Sequence, residues 1–191
     1  PKWPWSCPTS CCIKPIHKEF TYEGYAQQLV GQLAALGVNV DLIGADHPLD
    51  GYRLVLVPFA PILPENFHRK CRDYAEKGGH LLAMTMAFSR DEWGSGIFEK
   101  SPVGMTDFFG MHVVEMEPVF DGQTDAPVRI GELTIRSHFW QETLESEGAE
   151  VLGVFRGTYR DGWPVLTEHP YGKGSALYLG TAPAPEDASA L

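Results

Sequence analysis

The stretch that decides the fold is LVLVPFAPILPENFHRKCRDYAEKGGHLLAM, residues 54–84. Leu54–Val57 and Leu81–Met84 are unbroken apolar runs, which are typical of strands covered on both faces. Between them Pro64 suits the start of a helix, where a missing N–H leaves no hydrogen bond unmade. Three- and four-residue spacing predicts the buried side of that helix, formed by Phe67, Cys71, Tyr74 and Ala75. Strand, helix and strand joined by short connections predict a parallel sheet covered by helices.

The residues around this stretch continue the alternation in both directions. Apolar residues recur at helical spacing over residues 22–36, and Gly37 suits the left-handed position that ends a helix. Residues 38–42 alternate between apolar and polar, which predicts a further strand. Downstream, Met105–Phe109 is predicted as a short helix and His112–Met116 as a strand. Residues 22–116 are therefore predicted to form a doubly wound α/β unit.

The C-terminal half has a different pattern, with short strands and glycine turns. A hairpin is predicted at Val128–Ile135, with its turn at Gly131. Three more strands are predicted at Ala149–Phe155, Pro164–Glu168 and Ser175–Leu179. The segment Tyr171–Gly174 contains a Gly-Lys-Gly sequence, but a phosphate-binding loop is longer and opens a helix. Because this one joins two apolar strands, it is predicted to be a tight turn.

Composition limits the classes of partner. The chain has 191 residues and a net charge of −10, with 15 Lys and Arg against 25 Asp and Glu. Such a surface repels phosphate backbones and anionic membranes, so we expect no nucleic-acid and no membrane partner. No apolar run approaches the ~18 residues of a membrane span. Four cysteines are too few for a disulfide scaffold, which suggests a reducing, cytoplasmic compartment.

The chain divides into three parts by composition. Residues 1–20 combine four prolines, two tryptophans and three cysteines without a clear period, and are interpreted as an irregular arm. Residues 21–182 carry the regular pattern and form the main domain. Residues 183–191 are small, polar and proline-containing, which is typical of a linker or tail.

Eight segments stand in an order that is characteristic of one family. They are LGVNVD (36–41), LDGY with VP (49–58), GGHLL (78–82), FG with EMEP (109–118), GAEVL (148–152), GTY with GWPVLT (157–167), YGKG (171–174) and YLGT (178–181). Together they resemble the middle domain of glycoside hydrolase family 42, the β-galactosidases built on a catalytic barrel. Two features depart from the family pattern: the arm does not look like the usual first strand, and the loop 90–94 has different residues.

The resemblance implies a fold, a role and a setting. The fold is α/β, flavodoxin-like or class-I glutamine-amidotransferase-like, with three α/β/α layers and a mostly parallel sheet with added β-hairpins in the C-terminal half. The role is trimer assembly. The setting is between a catalytic barrel and a small C-terminal β domain, and a barrel alone needs about 250 residues.

Candidate catalytic acids have no recognisable pairing. Retaining glycosidases place two carboxylates about 5 Å apart. The acids considered are Asp91, Glu92, Glu115, Glu117, Glu142 and Glu150. In the family the catalytic glutamates lie on the barrel, so we interpret the acids of this chain as surface residues.

Amidotransferase-like folds carry a cysteine nucleophile on a tight turn after a strand. Counting from Gly78, that position falls on Thr85, whose hydroxyl is a poor nucleophile without an adjacent base. His169 could stand in for a catalytic histidine, but we interpret it as a loop residue. The nucleophile position is therefore predicted to be vacant, and no residue of this chain is predicted to be catalytic.

The remaining candidates concern metal binding and interfaces. Zinc ligand types occur at Cys7, Cys11, Cys12 and His17, but structural zinc sites use spaced pairs of ligands. We therefore expect no metal and no cofactor, and we interpret Cys71 as a small buried core residue. The aromatic residues in or beside loops are Trp93, Phe98, Phe108, Phe109 and Trp140. Core packing explains some of them, and the candidate interface residues are Trp93, Phe98 and Trp140.

The predicted function is a non-catalytic trimerisation domain of a β-galactosidase that hydrolyses terminal β-D-galactosides. Its expected partners are other copies of itself, in a homotrimer, and the barrel domain of the parent enzyme. Two alternatives stay open. One is a stand-alone amidotransferase-like hydrolase that acts through Thr85, and the other is a sugar-binding module.

Overall fold

The computed structural model describes residues 22–91, 94, 100–119, 126–184 and 187. These residues form three helices, α1 (Tyr22–Ala35), α2 (Glu65–Glu76) and α3 (Thr106–Phe109). They also form nine strands: β1 (Leu54–Val57), β2 (His80–Met84), β3 (Met111–Pro118), β4 (Pro127–Ile130), β5 (Leu133–Ser146), β6 (Glu150–Phe155), β7 (Pro164–Tyr171), β8 (Gly174–Leu179) and β9 (Thr181–Pro183). Within the described ranges, no helix is both long and apolar enough to cross a bilayer.

The strands form one mixed sheet in the order β1-β2-β8-β7-β6-β4-β5-β3, and β9 pairs with β5 beside this path. Strand β2 is parallel to both β1 and β8. The other six pairings of the described strands are antiparallel. The prediction of a mostly parallel sheet is therefore wrong for this part of the chain. Short turns join most of the C-terminal strands, and such connections allow only antiparallel neighbours.

Helices α1 and α2 pack on opposite faces of the parallel strands. Side chains alternate along a strand, so Leu81 and Ala83 of β2 face α2. Leu82 and Met84 face the other way and contact the side of α1 that carries Leu29. The predicted stripe of α2 is confirmed, because all four of its residues are buried against the sheet. The predicted α/β alternation therefore holds where β1, β2 and β8 lie side by side.

The prediction of a strand at residues 38–42 is wrong. The backbone there is irregular, and the side chains of Val38 and Leu42 are at least half exposed. The Val38 N–H instead donates to the Leu33 carbonyl at the end of α1. A strand needs a neighbour to bond, and the described residues place none beside β1 on the side away from β2. Alternating apolar residues alone therefore did not produce a strand.

Strand β5 is much longer than the predicted hairpin arm. The hairpin at Gly131 is confirmed, but the strand continues past Ile135 to Ser146. It pairs with β4 first, then with β9, and finally with β3. Phe139 has a left-handed φ of 60° within the strand, at a shift in its register with β9. This bend brings the second half of β5 to the carboxyl end of β2.

Two glycine-to-alanine variants test the packing of the β7–β8 turn. A Cβ at Gly174 would collide with the carbonyl oxygen of Gly79 and lie 2.8 Å from that of Ala75. We expect Gly174→Ala to lower the free energy of unfolding by roughly 1–3 kcal/mol, as overpacking does. In contrast, a Cβ at Gly31 in α1 meets nothing within 4 Å.

Gly31→Ala is the matched control for this comparison. It should raise stability by roughly 0.5–1 kcal/mol, because alanine loses less backbone entropy in a helix. Urea unfolding followed by circular dichroism measures both variants. Equal stabilities for Gly174→Ala and the parent chain would contradict the packing described for this turn.

Candidate functional site

The candidate site is the turn that follows β2, where the sequence predicts a vacant nucleophile position. Residues 85–88 form this turn, and all four are buried. Met86 has φ of 64° and Phe88 has φ of 56°. Left-handed backbone is uncommon outside glycine and persists only where the surroundings fix it. The turn is therefore tight and strained, and its neighbours must hold it in place.

Glu142 of β5 holds this turn. Its Oε1 accepts a hydrogen bond from the backbone N–H of Met86 at 3.0 Å. Its Oε2 accepts another from the Tyr178 hydroxyl at 2.9 Å. The Glu142 backbone N–H donates to the Gly180 carbonyl at 2.6 Å. One fully buried residue therefore connects β5 to the turn after β2 and to the end of β8.

The burial of this carboxylate changes its protonation. Desolvation raises the pKa of Glu142 to about 7, while Met86, Tyr178 and Thr85 oppose the rise by stabilising the charged form. Burial, and next the negative charge of Glu142, raise the pKa of Tyr178 well above its ordinary value. Near neutral pH the site thus holds a carboxyl group that is charged in only part of the molecules.

Thr85 is fully buried beneath the surface, as is Glu142. A hydrolase needs its nucleophile exposed to substrate and a free backbone N–H to stabilise the oxyanion. Here the Met86 N–H is bonded to the Glu142 carboxylate instead. This arrangement therefore has a structural role, which is to fix a strained turn.

A second group of charges surrounds Arg160, in the loop between β6 and β7. Its guanidinium lies 3.3 Å from Glu115 Oε2 and 2.9 Å from Glu117 Oε2 on β3. Nη1 also donates to Gln141 Oε1 at 3.0 Å. The arginine side chain is 1% exposed, while both glutamates are partly exposed. Two of the predicted surface acids are therefore held by one buried cation.

The structure places the other predicted residues as follows. His169 lies on strand β7 with Nδ1 2.9 Å from the Phe108 carbonyl oxygen, so its prediction as a loop residue is wrong. The prediction that Cys71 is buried is confirmed. Trp140 packs against a core cluster that contains Tyr25 and Met86. The residues that lie outside the described ranges are Glu92, Trp93, Phe98, Cys7, Cys11, Cys12 and His17.

No group of three or more metal-ligating side chains is found within the described ranges. Neither Glu142, which holds the turn after β2, nor Arg160, which holds the β6–β7 loop, was predicted from the sequence to have a structural role. Glu142 was interpreted as a surface acid and is fully buried. The sequence does place Glu142 two residues before Leu144, and residues two apart lie on the same face of a strand. A buried Leu144 therefore indicates that Glu142 is buried too. No comparable signal pointed to Arg160.

The Glu142→Gln variant tests the buried carboxyl group. In the folded chain the pKa of Glu142 is about 7, above its ordinary value of 4.5. The protonated Glu142 therefore contributes to the free energy of unfolding. This contribution is complete below pH ~4.5 and is lost as the pH rises through about 7, because Glu142 ionises at a lower pH in the unfolded chain than in the folded one. The loss over this pH range amounts to up to about 3 kcal/mol. The Glu142→Gln variant should not show it, because glutamine does not titrate.

Urea unfolding of both chains from pH 4 to pH 8 measures this effect. The difference in unfolding free energy between the variant and the parent should change in favour of the variant as the pH rises. The exposed Glu132, in the β4–β5 turn, provides the control Glu132→Gln, which should follow the parent. Parallel pH profiles for Glu142→Gln and the parent would show that Glu142 titrates normally.

Comparison with known proteins identifies the family. The family described as the β-galactosidase trimerisation domain matches residues 6–191. The β-galactosidase LacZ of Heyndrickxia coagulans is 30% identical over 154 residues, which cover 81% of this chain and 23% of that protein. The β-galactosidase BglY of Alicyclobacillus acidocaldarius is 30% identical over 165 residues, covering 81% of this chain and 24% of that protein.

Solved structures show the same fold at lower identity. The β-galactosidase from Bacillus circulans sp. alkalophilus has a TM-score of 0.83 at 17% identity, covering 91% of this chain and 26% of that chain. The enzyme from the haloarchaeon Halorubrum lacusprofundi has a TM-score of 0.84 at 24% identity, covering 93% and 26%. The chain thus spans about a quarter of the length of the relatives it matches. It belongs to the β-galactosidase trimerisation domain family, the middle domain of glycoside hydrolase family 42.

Proposed function

We propose that this chain assembles into a homotrimer and so supports a catalytic barrel that hydrolyses terminal β-D-galactosides. The observation that carries the proposal is the match of the trimerisation-domain family to residues 6–191. The relatives are described as β-galactosidases, and the match covers 23% and 24% of two of them. The remaining length is enough for a barrel of about 250 residues.

The turn after β2 supports a non-catalytic role for this domain. Thr85 is fully buried, and the Met86 N–H is bonded to a carboxylate. Both features work against the amidotransferase-like alternative, which requires an exposed nucleophile. An esterase or glutaminase activity that Thr85→Ala abolishes would nevertheless establish that alternative.

The finer details of the fold and its boundaries belong to the same proposal. We assign the chain a flavodoxin-like, class-I glutamine-amidotransferase-like architecture with three layers. The packing of α1 and α2 on opposite faces of β1, β2 and β8 supports this assignment. We assign residues 21–182 to the assembly domain, 1–20 to an arm and 183–191 to a tail.

The interface residues proposed from the sequence are Trp93, Phe98 and Trp140. Trp140 pairs with Pro118 at the end of β3, beside an edge of the sheet. This position, near the surface of one sheet edge, is compatible with a contribution to assembly.

The solution mass of the purified chain tests the proposal. Light scattering over a range of concentrations should show a species of three times 21.2 kDa. The fraction of this species should rise with concentration, because association depends on mass action. A monomer at every concentration would contradict self-assembly by this chain.

A further inference from the structure

We infer that one copy of this chain contacts the next through a surface that we name the β3 rim. This surface is the edge of the sheet formed by β3 and the adjoining β6–β7 loop. Its exposed residues are Val114, Met116, Tyr159 and Trp163, which are 51%, 42%, 72% and 45% exposed. Met116 lies on the opposite face of β3 from Glu115 and Glu117, which contact the loop, so the surface is the edge itself and not one face of the sheet. The inference rests on the proposed function, since it assumes that the chain self-associates. It adds which part of the molecule makes the contact.

The β6–β7 loop is fixed to the sheet by its buried arginine. Arg160 forms ion pairs with Glu115 and Glu117 on β3 and bonds Gln141 on β5. Burying a charge is costly unless it is paired, and here two carboxylates pair with the guanidinium while Glu115 and Gln141 accept hydrogen bonds from it. The loop also closes on itself, because the backbone N–H of Trp163 donates to the Arg160 carbonyl at 2.9 Å. The loop is therefore held in one position against β3.

Tyr159 is immobilised although most of its side chain is exposed. The Arg160 guanidinium carbon lies 4.7 Å from the centre of the tyrosine ring. The Tyr159 hydroxyl donates to Glu117 Oε2 at 2.9 Å. An aromatic side chain that is ordered before binding loses little conformational entropy when a partner covers it. Tyrosine and tryptophan are also the side chains most enriched at energetically important interface positions.

The adjoining strand β3 ends the sheet. Within the described residues it pairs only with β5, so the backbone on its other side has no strand neighbour. Its pairing is irregular between Val113 and Glu115, which leaves Val114 as an unpaired bulge. Long edge strands with exposed apolar side chains associate with other chains unless they are blocked. The rim therefore combines an edge strand that has no described strand neighbour on its outer side with one exposed aromatic ring held by two contacts.

The occupant of the rim is a second copy of this chain, because the family to which it belongs is a trimerisation domain. A closed ring of three copies uses the same head-to-tail contact three times. Each contact would contain one β3 rim, packed on a different surface of the neighbouring copy. One substitution in the rim thus weakens all three contacts at once.

The experiment compares the full chain with Tyr159→Ala, Trp163→Ala and Tyr159→Phe. Light scattering over a concentration series gives the midpoint of the monomer–trimer transition. Each alanine variant should raise this midpoint at least about tenfold, as loss of an aromatic interface anchor does. Tyr159→Phe keeps the ring and its contact with Arg160, so it should raise the midpoint much less than Tyr159→Ala. Leu133→Ala, an exposed leucine at the start of β5, is the control and should leave the midpoint unchanged.

The outcomes separate the surface from the proposed function. If the parent chain forms trimers and neither alanine variant changes the midpoint, the β3 rim is wrong and the proposed trimer stands. A monomeric parent chain would overturn both. Circular dichroism confirms that each variant is folded, and Trp163→Ala provides a second test if Tyr159→Ala is not. If galactose stabilised the parent chain but not Tyr159→Ala against heat, the rim would be a sugar site instead.

Discussion

The buried carboxyl group of Glu142 connects parts of the chain that are far apart in sequence. Its oxygens bond the turn after β2 and the Tyr178 hydroxyl of β8, and its own N–H bonds Gly180. Through these bonds the antiparallel strand β5 is linked to the ends of the parallel strands β2 and β8. Apolar packing alone would not fix the left-handed Met86, whose N–H requires an acceptor in the interior. The geometry of the domain centre therefore depends on one polar contact that is costly to bury.

The same contact supports the proposed role of this domain as a scaffold. In a hydrolase, the backbone N–H groups beside a nucleophile turn are left free for the charge that develops on the substrate. In this chain a carboxylate from β5 already takes the Met86 N–H, and Thr85 is fully buried. The strain of the turn remains, but it is stabilised by a permanent internal partner. Around it, Arg160 performs a similar task at the surface by fixing a loop to β3.

Local patterns in the sequence predicted much of the fold, since they depend on neighbouring residues. The stripe of α2 and the Gly131 hairpin are examples of patterns that nearby residues complete. Residues 38–42 show the limit, because their alternation needed a strand neighbour that the described chain does not place there. The role of Glu142 could not be predicted either. Its partners Met86 and Tyr178 lie 56 and 36 residues away, and only the tertiary fold brings them together.

The position of β8 between β2 and β7 has a consequence for synthesis on the ribosome. Strand β1 is translated before β2 and can pair with it at once. The second neighbour of β2 is β8, whose Ser175 and Ala176 pair with His80 and Leu81 and are translated 95 residues later. The apolar core built from the first half of the chain therefore stays incomplete until nearly all of the domain has been translated. Such non-local pairing is slow to form and leaves apolar surface exposed to aggregation in the meantime. Until β8 pairs with β2, the apolar side chains that this pairing covers stay exposed, so the nascent chain is most prone to wrong association in that interval.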